Sequence, residues 1–361
     1  MLPTRKYILT VTILIISMMS AFGQSGKAPY AFLSMPMSAR MNALGGHNVS
    51  VDNGDVSSAL YNPAILSEQT HMGLELNYAY CMSKINIASA IYSHNYKDNR
   101  FAVGVHYLDY GKMQYADEYG NLTGITFGAR DMLIDLIYSR QLGSMFRVGA
   151  SLKPIYSIYE SYSSFSLGAD VGAHFQTRDS TFQLGLSLQN IGWQLKEFYS
   201  GTNGGSRSML PFNLELGFNV RFAHAPIRIG MTIHNIQRWN LGYEMSGKST
   251  YVVGSKRGMT NDEWALAQEK GAVMWYDMMF RHTVFFIDIA PKSEKFYVTL
   301  SYNHRRRAEL EVKDISSLAG LSIGAGINTK MVHLGFSFSQ YAKGQYIYQT
   351  SLTLDINNLM H

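Results

Sequence analysis

The sequence predicts an all-β fold, a transmembrane antiparallel β-barrel of about fourteen strands with an N-terminal plug or hatch. Three observations support this prediction. Apolar and polar residues alternate with a period of two over most of the chain, and no apolar run as long as a spanning helix follows residue 23. The connections are short at one predicted end and often long at the other, as in outer-membrane barrels. A soluble β-sandwich gives no reason for this sorting.

Residues 1–23 have the features of a secretory signal peptide. Arg5 and Lys6 precede an uncharged apolar run over residues 7–19, and the small-residue site 21–23 follows. The run is short for a membrane span and no stop-transfer pattern follows, which favours cleavage over a retained anchor. Cleavage would leave 29 of the 31 basic residues against 26 acidic ones, and a net charge of +3 excludes a strong electrostatic footprint for nucleic acid.

The composition favours a secreted β-protein or an outer-membrane barrel. The chain contains 24 Tyr, 18 Phe and 32 Gly residues, and 16% of its residues are charged. Its one cysteine, Cys81, excludes an internal disulfide framework. The position of Cys81 in a predicted strand favours a small buried side chain over a nucleophile.

The alternating segments define the predicted strands. In VHLGFSFSQ (332–340), one face carries Val, Leu and Phe, while the other carries His, Gly and Ser. Segments of roughly nine to twelve residues repeat this pattern, which is close to the length that a tilted strand needs to cross hydrocarbon. The aliphatic faces should meet lipid, and Lys153, Asp170 and Arg228 should face a polar lumen. The predicted strands begin near residues 72, 84, 100, 129, 145, 164, 181, 212, 226, 278, 295, 319, 330 and 347.

The connections assign the two ends of the barrel. With a periplasmic N-terminus, the inward turns read KDN, LGSM, TRDS, AHA, PKSEK and NTK, and all are tight. The long outward connections are predicted over residues 109–128, 190–211, 237–277 and 305–318. Short periplasmic turns and long external loops are typical of outer-membrane barrels.

Residues 24–70 break the alternation and are predicted to lie in the lumen as a plug. The predicted division is therefore a signal peptide (1–23), a plug or hatch (24–70) and a barrel (71–361). Asn62 can cap a helix and Pro63 suits its first position, while Gly45-Gly46 permits a tight turn. The plug motif comprises Ser38, Ala39, Arg40, Ala43, Leu44, Gly45, Gly46, Asn62, Pro63 and Ala64.

The triplet Asn62-Pro63-Ala64 also occurs in the pores of aquaporins. An aquaporin pore needs two such triplets on half-helices within a bundle of spanning helices. This chain has one triplet and no predicted spanning helix, so the aquaporin hypothesis is rejected.

The string AFLSMPMSARMNALGG (31–46), followed by NPAIL (62–66), resembles the PorV/PorQ family. These are barrels of the type IX secretion system of Bacteroidetes, related in fold to the FadL fatty-acid transporters. The form FLxxPxSARxxALGG is more similar to the PorQ branch than to PorV. Further similarity lies in MFRHTVFFIDIAP (279–291), SYNHRRRAEL (301–310) and GLSIGAGI (320–327), so the resemblance extends over the predicted mature chain.

The resemblance implies a non-catalytic role in the outer membrane of a Gram-negative bacterium. A PorQ-like barrel would anchor a PorZ-like surface protein and, through it, a PorU/PorV-like complex that attaches secreted cargo to lipopolysaccharide. Two alternatives stay open, a PorV-like cargo shuttle or translocon subunit and a FadL-like transporter of hydrophobic small molecules. The eleven histidines form no HExxH pattern and GxSxG is absent, so we expect no enzyme activity, metal site or cofactor.

Two outward segments are candidate interaction sites. Arg305, Arg306 and Arg307 are predicted at the outer end of a strand, either as a solvated basic rim or as a clamp for lipopolysaccharide phosphates. The long connection carries Trp264, Trp275 and Tyr276, which are predicted either to bind the surface partner or to pack on the rim of the barrel itself.

Overall fold

The computed structural model describes residues 30–82, 84–198, 208–241, 251–253, 260, 263, 266, 272–310, 318–342 and 345–360. The predicted signal peptide lies outside these ranges. Across the described ranges, no helix is both long and apolar enough to cross a membrane. The strands are β1 (Gly73–Cys81), β2 (Ile85–Tyr96), β3 (Asn99–Ala116), β4 (Leu122–Leu142), β5 (Phe146–Tyr159), β6 (Tyr162–Gln176), β7 (Phe182–Lys196), β8 (Asn213–Arg221), β9 (Ile227–Ile233), β10 (Tyr251–Val253), β11 (Ala272–Met274), β12 (Thr283–Ile289), β13 (Phe296–Asn303), β14 (Leu321–Asn328), β15 (Val332–Ala342) and β16 (Gln345–Asp355).

Fourteen of the described strands form one closed antiparallel barrel, as predicted. Their order is β1-β16-β15-β14-β13-β12-β9-β8-β7-β6-β5-β4-β3-β2, and the short strands β10 and β11 pair separately outside it. The barrel closes where β1 pairs with β16, from Gly73 opposite Asp355 to Cys81 opposite Ile347. Closure satisfies the backbone hydrogen bonds of every strand, which a lipid environment requires.

The two faces of each strand differ in polarity because successive side chains point to opposite sides of the sheet. On β13, Val298 and Leu300 are 42% and 50% exposed on the outer surface, whereas Thr299 and Ser301 are buried inside. The same alternation directs β-branched and aromatic side chains to lipid and small polar ones to the lumen.

The predicted strand starts agree with the structure to within two residues, with two exceptions that have local causes. β4 begins at Leu122 rather than near 129, because the predicted loop over 109–128 is a hairpin extension of β3 and β4 around a turn at 117–121. β12 begins at Thr283 rather than near 278, because the preceding apolar residues form a helix, α2 (Trp275–Arg281). The other described helices are α1 (Ala39–Ala43), α3 (His304–Leu310) and α4 (Ile356–Met360).

Residues 30–72 lie inside the barrel and form the plug. The segment contains α1 and four 3₁₀ turns, Ala31–Ser34, Val56–Leu60, Pro63–Ile65 and Glu68–Thr70. Its polar groups are bonded by lumen-facing side chains: the Ala39 backbone amide donates to Ser351 Oγ at 2.9 Å, and the Asn42 side-chain Nδ2 donates to Ser337 Oγ at 3.0 Å. Wall side chains therefore satisfy polar groups that water would otherwise have to solvate.

Candidate functional site

Arg40 joins the plug to the barrel wall. It lies on α1, which begins after Ser38, whose hydroxyl accepts the Met41 amide hydrogen at 3.3 Å. The guanidinium of Arg40 bonds both carboxylate oxygens of Asp288 on β12, at 3.1 and 2.7 Å, and it lies 4.1 Å from the ring centroid of Tyr297. Both ionic side chains are almost completely buried, so this bidentate pair is shielded from solvent.

Asp288 also extends this ion pair along the wall. Its carboxylate lies 3.5 Å from Arg228, and Arg228 forms a further ion pair with Glu294. Glu294 lies in the turn between β12 and β13, at the short-turn end of the barrel. The burial of Arg228 in the lumen was predicted from strand phase, and pairing makes that burial tolerable.

Lys153 forms a second buried charge cluster on the opposite part of the wall. Its ammonium contacts Asp170 and lies 3.7 Å from Asp135, and it donates to the carbonyl oxygen of Leu60 in the plug at 3.4 Å. The predicted lumen positions of Lys153 and Asp170 are confirmed. The plug backbone thus contacts a cation that two carboxylates hold in place.

Arg147 and His174 hold the plug near the short-turn end. Arg147 Nη2 lies 2.5 Å from Asp52 Oδ2 and 2.9 Å from His174 Nδ1. The other ring nitrogen of His174 lies 2.9 Å from the carbonyl oxygen of Ser50. A side chain and a carbonyl of the plug are therefore bonded to adjacent strands.

Asn62 caps a helical turn, as its sequence context predicts. It also links two chain segments, which was not predicted. Its Oδ1 accepts the Ala64 amide hydrogen at 3.0 Å, and Pro63 occupies the first position of the turn, which is 3₁₀. Its Nδ2 donates to the carbonyl oxygens of Val49 at 2.8 Å and Ala173 at 3.2 Å. The triplet is thus a cap and a crosslink between the plug and β6.

Gly45 and Gly46 end α1 in a left-handed turn. Their φ angles are +88° and +85°, a region that disfavours side chains, and the Gly46 amide donates back to the Met41 carbonyl at 2.9 Å. A Cβ on Gly45 would collide with Val284, and one on Gly46 would collide with Arg306. The predicted turn is confirmed, and its glycines also permit close approach to the wall.

The three consecutive arginines do not form one exposed clamp. They lie on α3, which directly follows the outer end of β13, and Arg306 is 8% exposed, with its guanidinium 3.9 Å from the Tyr341 ring centroid. Arg306 is therefore withdrawn from any lipid phosphate, because it packs on the plug and on β15. Arg305 Nε donates to Glu309 at 2.9 Å, one helical turn away.

Two of the three aromatic residues predicted to bind the partner lie within the described residues. Trp264 lies outside the described residues. Trp275 and Tyr276 lie on α2, where their side chains are 48% and 45% exposed. Asp277 on the same helix bonds Arg281 and His304, both at 2.8 Å, which ties α2 to α3. Burial opposes ionisation of Asp277, but these hydrogen bonds outweigh it and lower its pKa.

Several wall residues that hold the plug were not singled out from the sequence. Asp288, Arg147 and His174 carry a signal in their strand phase, because each alternates with apolar neighbours. A further cluster joins His47 of the plug to Glu215 at 2.6 Å, with the His47 and His234 rings stacked at 4.2 Å. Nothing in strand phase pairs these residues with the plug. In the described part of the chain, no three His, Cys, Asp or Glu side chains are grouped to hold a metal ion.

Solved structures match the fold of this chain, whereas no family model and no curated protein matches its sequence. The toluene transporter TodX of Pseudomonas putida is 11% identical with a TM-score of 0.51, covering 88% of this chain and 97% of its own. A TodX monoaromatic hydrocarbon channel deltaS2 mutant is 13% identical with a TM-score of 0.51, covering 90% and 98%. A Pseudomonas aeruginosa FadL homologue is 12% identical with a TM-score of 0.47, covering 92% and 100%. The chain therefore shares the fold of TodX, and the apolar outer face of its own strands is that of an outer-membrane barrel.

Proposed function

We propose that this protein is a sealed outer-membrane barrel that anchors a protein at the cell surface. The observation that carries the proposal is the attachment of the plug to the wall by buried ion pairs on both sides, through Arg40 to Asp288 and through Asp52 to Arg147. The resemblance to PorQ gives the anchor its specific form, a type IX secretion component that holds a PorZ-like protein and, through it, a PorU/PorV-like complex. No catalytic step is part of this role.

The packing around the plug supports a closed lumen. Two of the cavities between plug and wall, one beside Arg40 and one beside Lys153, have volumes of about 30 Å³ each, whereas a larger one of about 410 Å³ opens at the short-turn end. Such a volume accommodates roughly one water molecule, whereas a benzene-sized molecule needs about 150 Å³. An anchor needs no passage, so tight packing of the plug agrees with this role.

The outer end of the barrel offers a surface for the partner. The exposed rings of Trp275 and Tyr276 stand on α2, which the bond from Asp277 to His304 fixes to α3. Rigid exposed aromatic residues are enriched at the centres of protein interfaces. We assign the partner contact to this pair and a lipopolysaccharide contact to Arg305 and Arg307.

A double substitution, Trp275→Ala with Tyr276→Ala, is expected to release the surface partner while the barrel stays inserted. Loss of a hot-spot pair costs about 2 kcal/mol or more, which lowers affinity roughly thirtyfold. The measurement is affinity purification from outer membranes with quantification of the co-purified PorZ-like protein. Tyr119→Ala is the matched control, because Tyr119 is 82% exposed on another outer connection. Full retention by the double variant would refute the assignment.

Transport of hydrophobic small molecules is the second candidate function, and the shared fold with the TodX transporter favours it. Transport would require the plug to leave its ion pairs and open a path. Uptake of labelled toluene and of labelled fatty acid by cells that express the protein separates the two functions. The anchor role predicts uptake equal to that of cells without the protein, and a saturable excess would support transport. A cargo protein recovered in place of a PorZ-like protein would instead support a PorV-like role.

A further inference from the structure

A polar cavity of about 410 Å³ opens at the short-turn end of the barrel. It lies between the last part of the plug and the turns that follow β2, β4 and β6. Its lining includes three arginines, Arg100, Arg147 and Arg178, together with amide and hydroxyl groups such as those of Gln141 and Thr177. The volume is sufficient for a small organic ion. Besides its neutral groups, the lining carries three guanidinium groups and three carboxylates, those of Asp52, Glu68 and Asp98.

Arg100 is the incompletely bonded cation of this cavity. Its side chain is almost fully buried at 3% exposure, and its Nε has no hydrogen-bond partner. Its Nη1 reaches the Asp98 carbonyl oxygen only at 3.5 Å. The nearest carboxylate, that of Glu68, lies 3.9 Å away and is 92% exposed, so water screens it strongly. A buried guanidinium with an unpartnered Nε and only long contacts at its Nη atoms is costly unless an anion completes its bonding.

Arg147 and Arg178 complete the positive lining. Asp52 and His174 hold the Arg147 guanidinium in one orientation, and Arg178 lies exposed at the rim. Among the carboxylates of the lining, Asp52 is used by Arg147, whereas Glu68 and Asp98 are exposed to solvent. The interior of the cavity therefore has an excess of positive charge at Arg100.

We propose that this cavity binds an anionic group, a carboxylate or a phosphate, from the periplasmic side, with Arg100 as its main contact. The planar fork of a guanidinium matches both groups, and neighbouring hydroxyls and amides supply neutral hydrogen bonds. Because plug residues Asp52, Ser67 and Glu68 form part of the lining, the bound anion bridges plug and wall. Binding to the closed arrangement stabilises it by mass action. The proposal rests on the barrel and the plug and is independent of the anchor role.

The test is titration of the full-length barrel in a neutral detergent with inorganic phosphate and, separately, with citrate, followed by calorimetry. Saturable binding is expected, and Arg100→Gln is expected to weaken it about tenfold or more, as for loss of one charge-assisted hydrogen bond. Arg140→Gln is the matched control, since Arg140 is an exposed arginine at the same end of β4 that points away from the lumen. Absence of saturable binding to the wild type, or equal binding by Arg100→Gln, would overturn the proposal.

A second variant and a reconstitution experiment check whether the anion binds in this cavity and where it comes from. Arg178→Gln changes an exposed rim residue, so it leaves the fold intact, and it should weaken binding about threefold. Reconstitution into phosphatidylcholine vesicles with or without phosphatidylglycerol then separates the sources of the anion. Phosphate binding that disappears only with phosphatidylglycerol identifies a lipid headgroup as the occupant, whereas binding that is equal in both identifies a free anion. Equal affinity of Arg178→Gln and wild type would count against the cavity as the site.

Discussion

Replacement of Arg40 by methionine is expected to detach the plug from the β12 side of the barrel. The substitution leaves Asp288 buried without its bidentate partner, and breaking a buried ion pair in this way costs about 3–5 kcal/mol. The expected result is a lower urea midpoint for unfolding and a rise in conductance when the variant is inserted in planar bilayers, because plug and wall are no longer bonded there.

Two controls define what the Arg40 result means. Arg130→Met removes an ion pair with Asp109 at 3.9 Å in which Arg130 is 58% exposed, so it should change stability little. The double variant Arg40→Met with Asp288→Leu should recover part of the loss, because the unpartnered carboxylate is then absent while Arg228 keeps its ion pair with Glu294. A single variant as stable and as closed as the wild type would contradict the role of Arg40 as the link between plug and wall.

A valine in place of a lumen-facing glycine is expected to expel the plug without removing any bond. A Cβ on Gly149 would lie 2.5 Å from the carbonyl carbon of Pro63 and 2.6 Å from the Ala64 nitrogen, and one on Gly185 would overlap the Val49 carbonyl oxygen. Backbone atoms cannot yield by a rotamer change, so either the plug or the strand must move. Gly149→Val and Gly185→Val should therefore both raise conductance and make the plug accessible to protease.

The matched control for this pair is Gly128→Ala. Its Cβ would come no nearer than 3.9 Å to a neighbouring atom, the Gly111 carbonyl oxygen. This variant should insert, unfold and conduct like the wild type. If Gly149→Val conducts no more than Gly128→Ala, then the close approach of the plug to β5 does not keep the barrel closed.

The strands could be predicted from the sequence because lipid imposes a simple rule on them. Each residue of a spanning strand faces either hydrocarbon or the lumen. Apolar and polar residues therefore alternate in the sequence wherever the strand crosses the membrane. The same rule placed Lys153, Asp170 and Arg228 inside. It failed beyond the membrane, where β4 extends to Leu122 with both faces in water, and where the apolar residues of α2 follow a helical period.

The candidate site was predictable only as a list of plug residues. Asn62 and Gly45-Gly46 act locally, through a cap and a left-handed turn, and such features are visible over a few residues. The partners of the plug lie far away along the chain, as Asp288 does from Arg40. Their pairing depends on which strands the closed barrel brings opposite α1.

The sequence by itself determined the barrel, the number of its strands and the use of residues 62–64 as a helical start. These follow from local alternation and from the backbone preferences of Asn, Pro and Gly. Only the tertiary structure decided which charges meet, that Arg306 turns inward to Tyr341, and that Arg100 lines a cavity with its Nε unpartnered. Burial and ion pairing depend on distances between strands and plug, and those distances are fixed by closure of the barrel rather than by neighbouring residues in the chain.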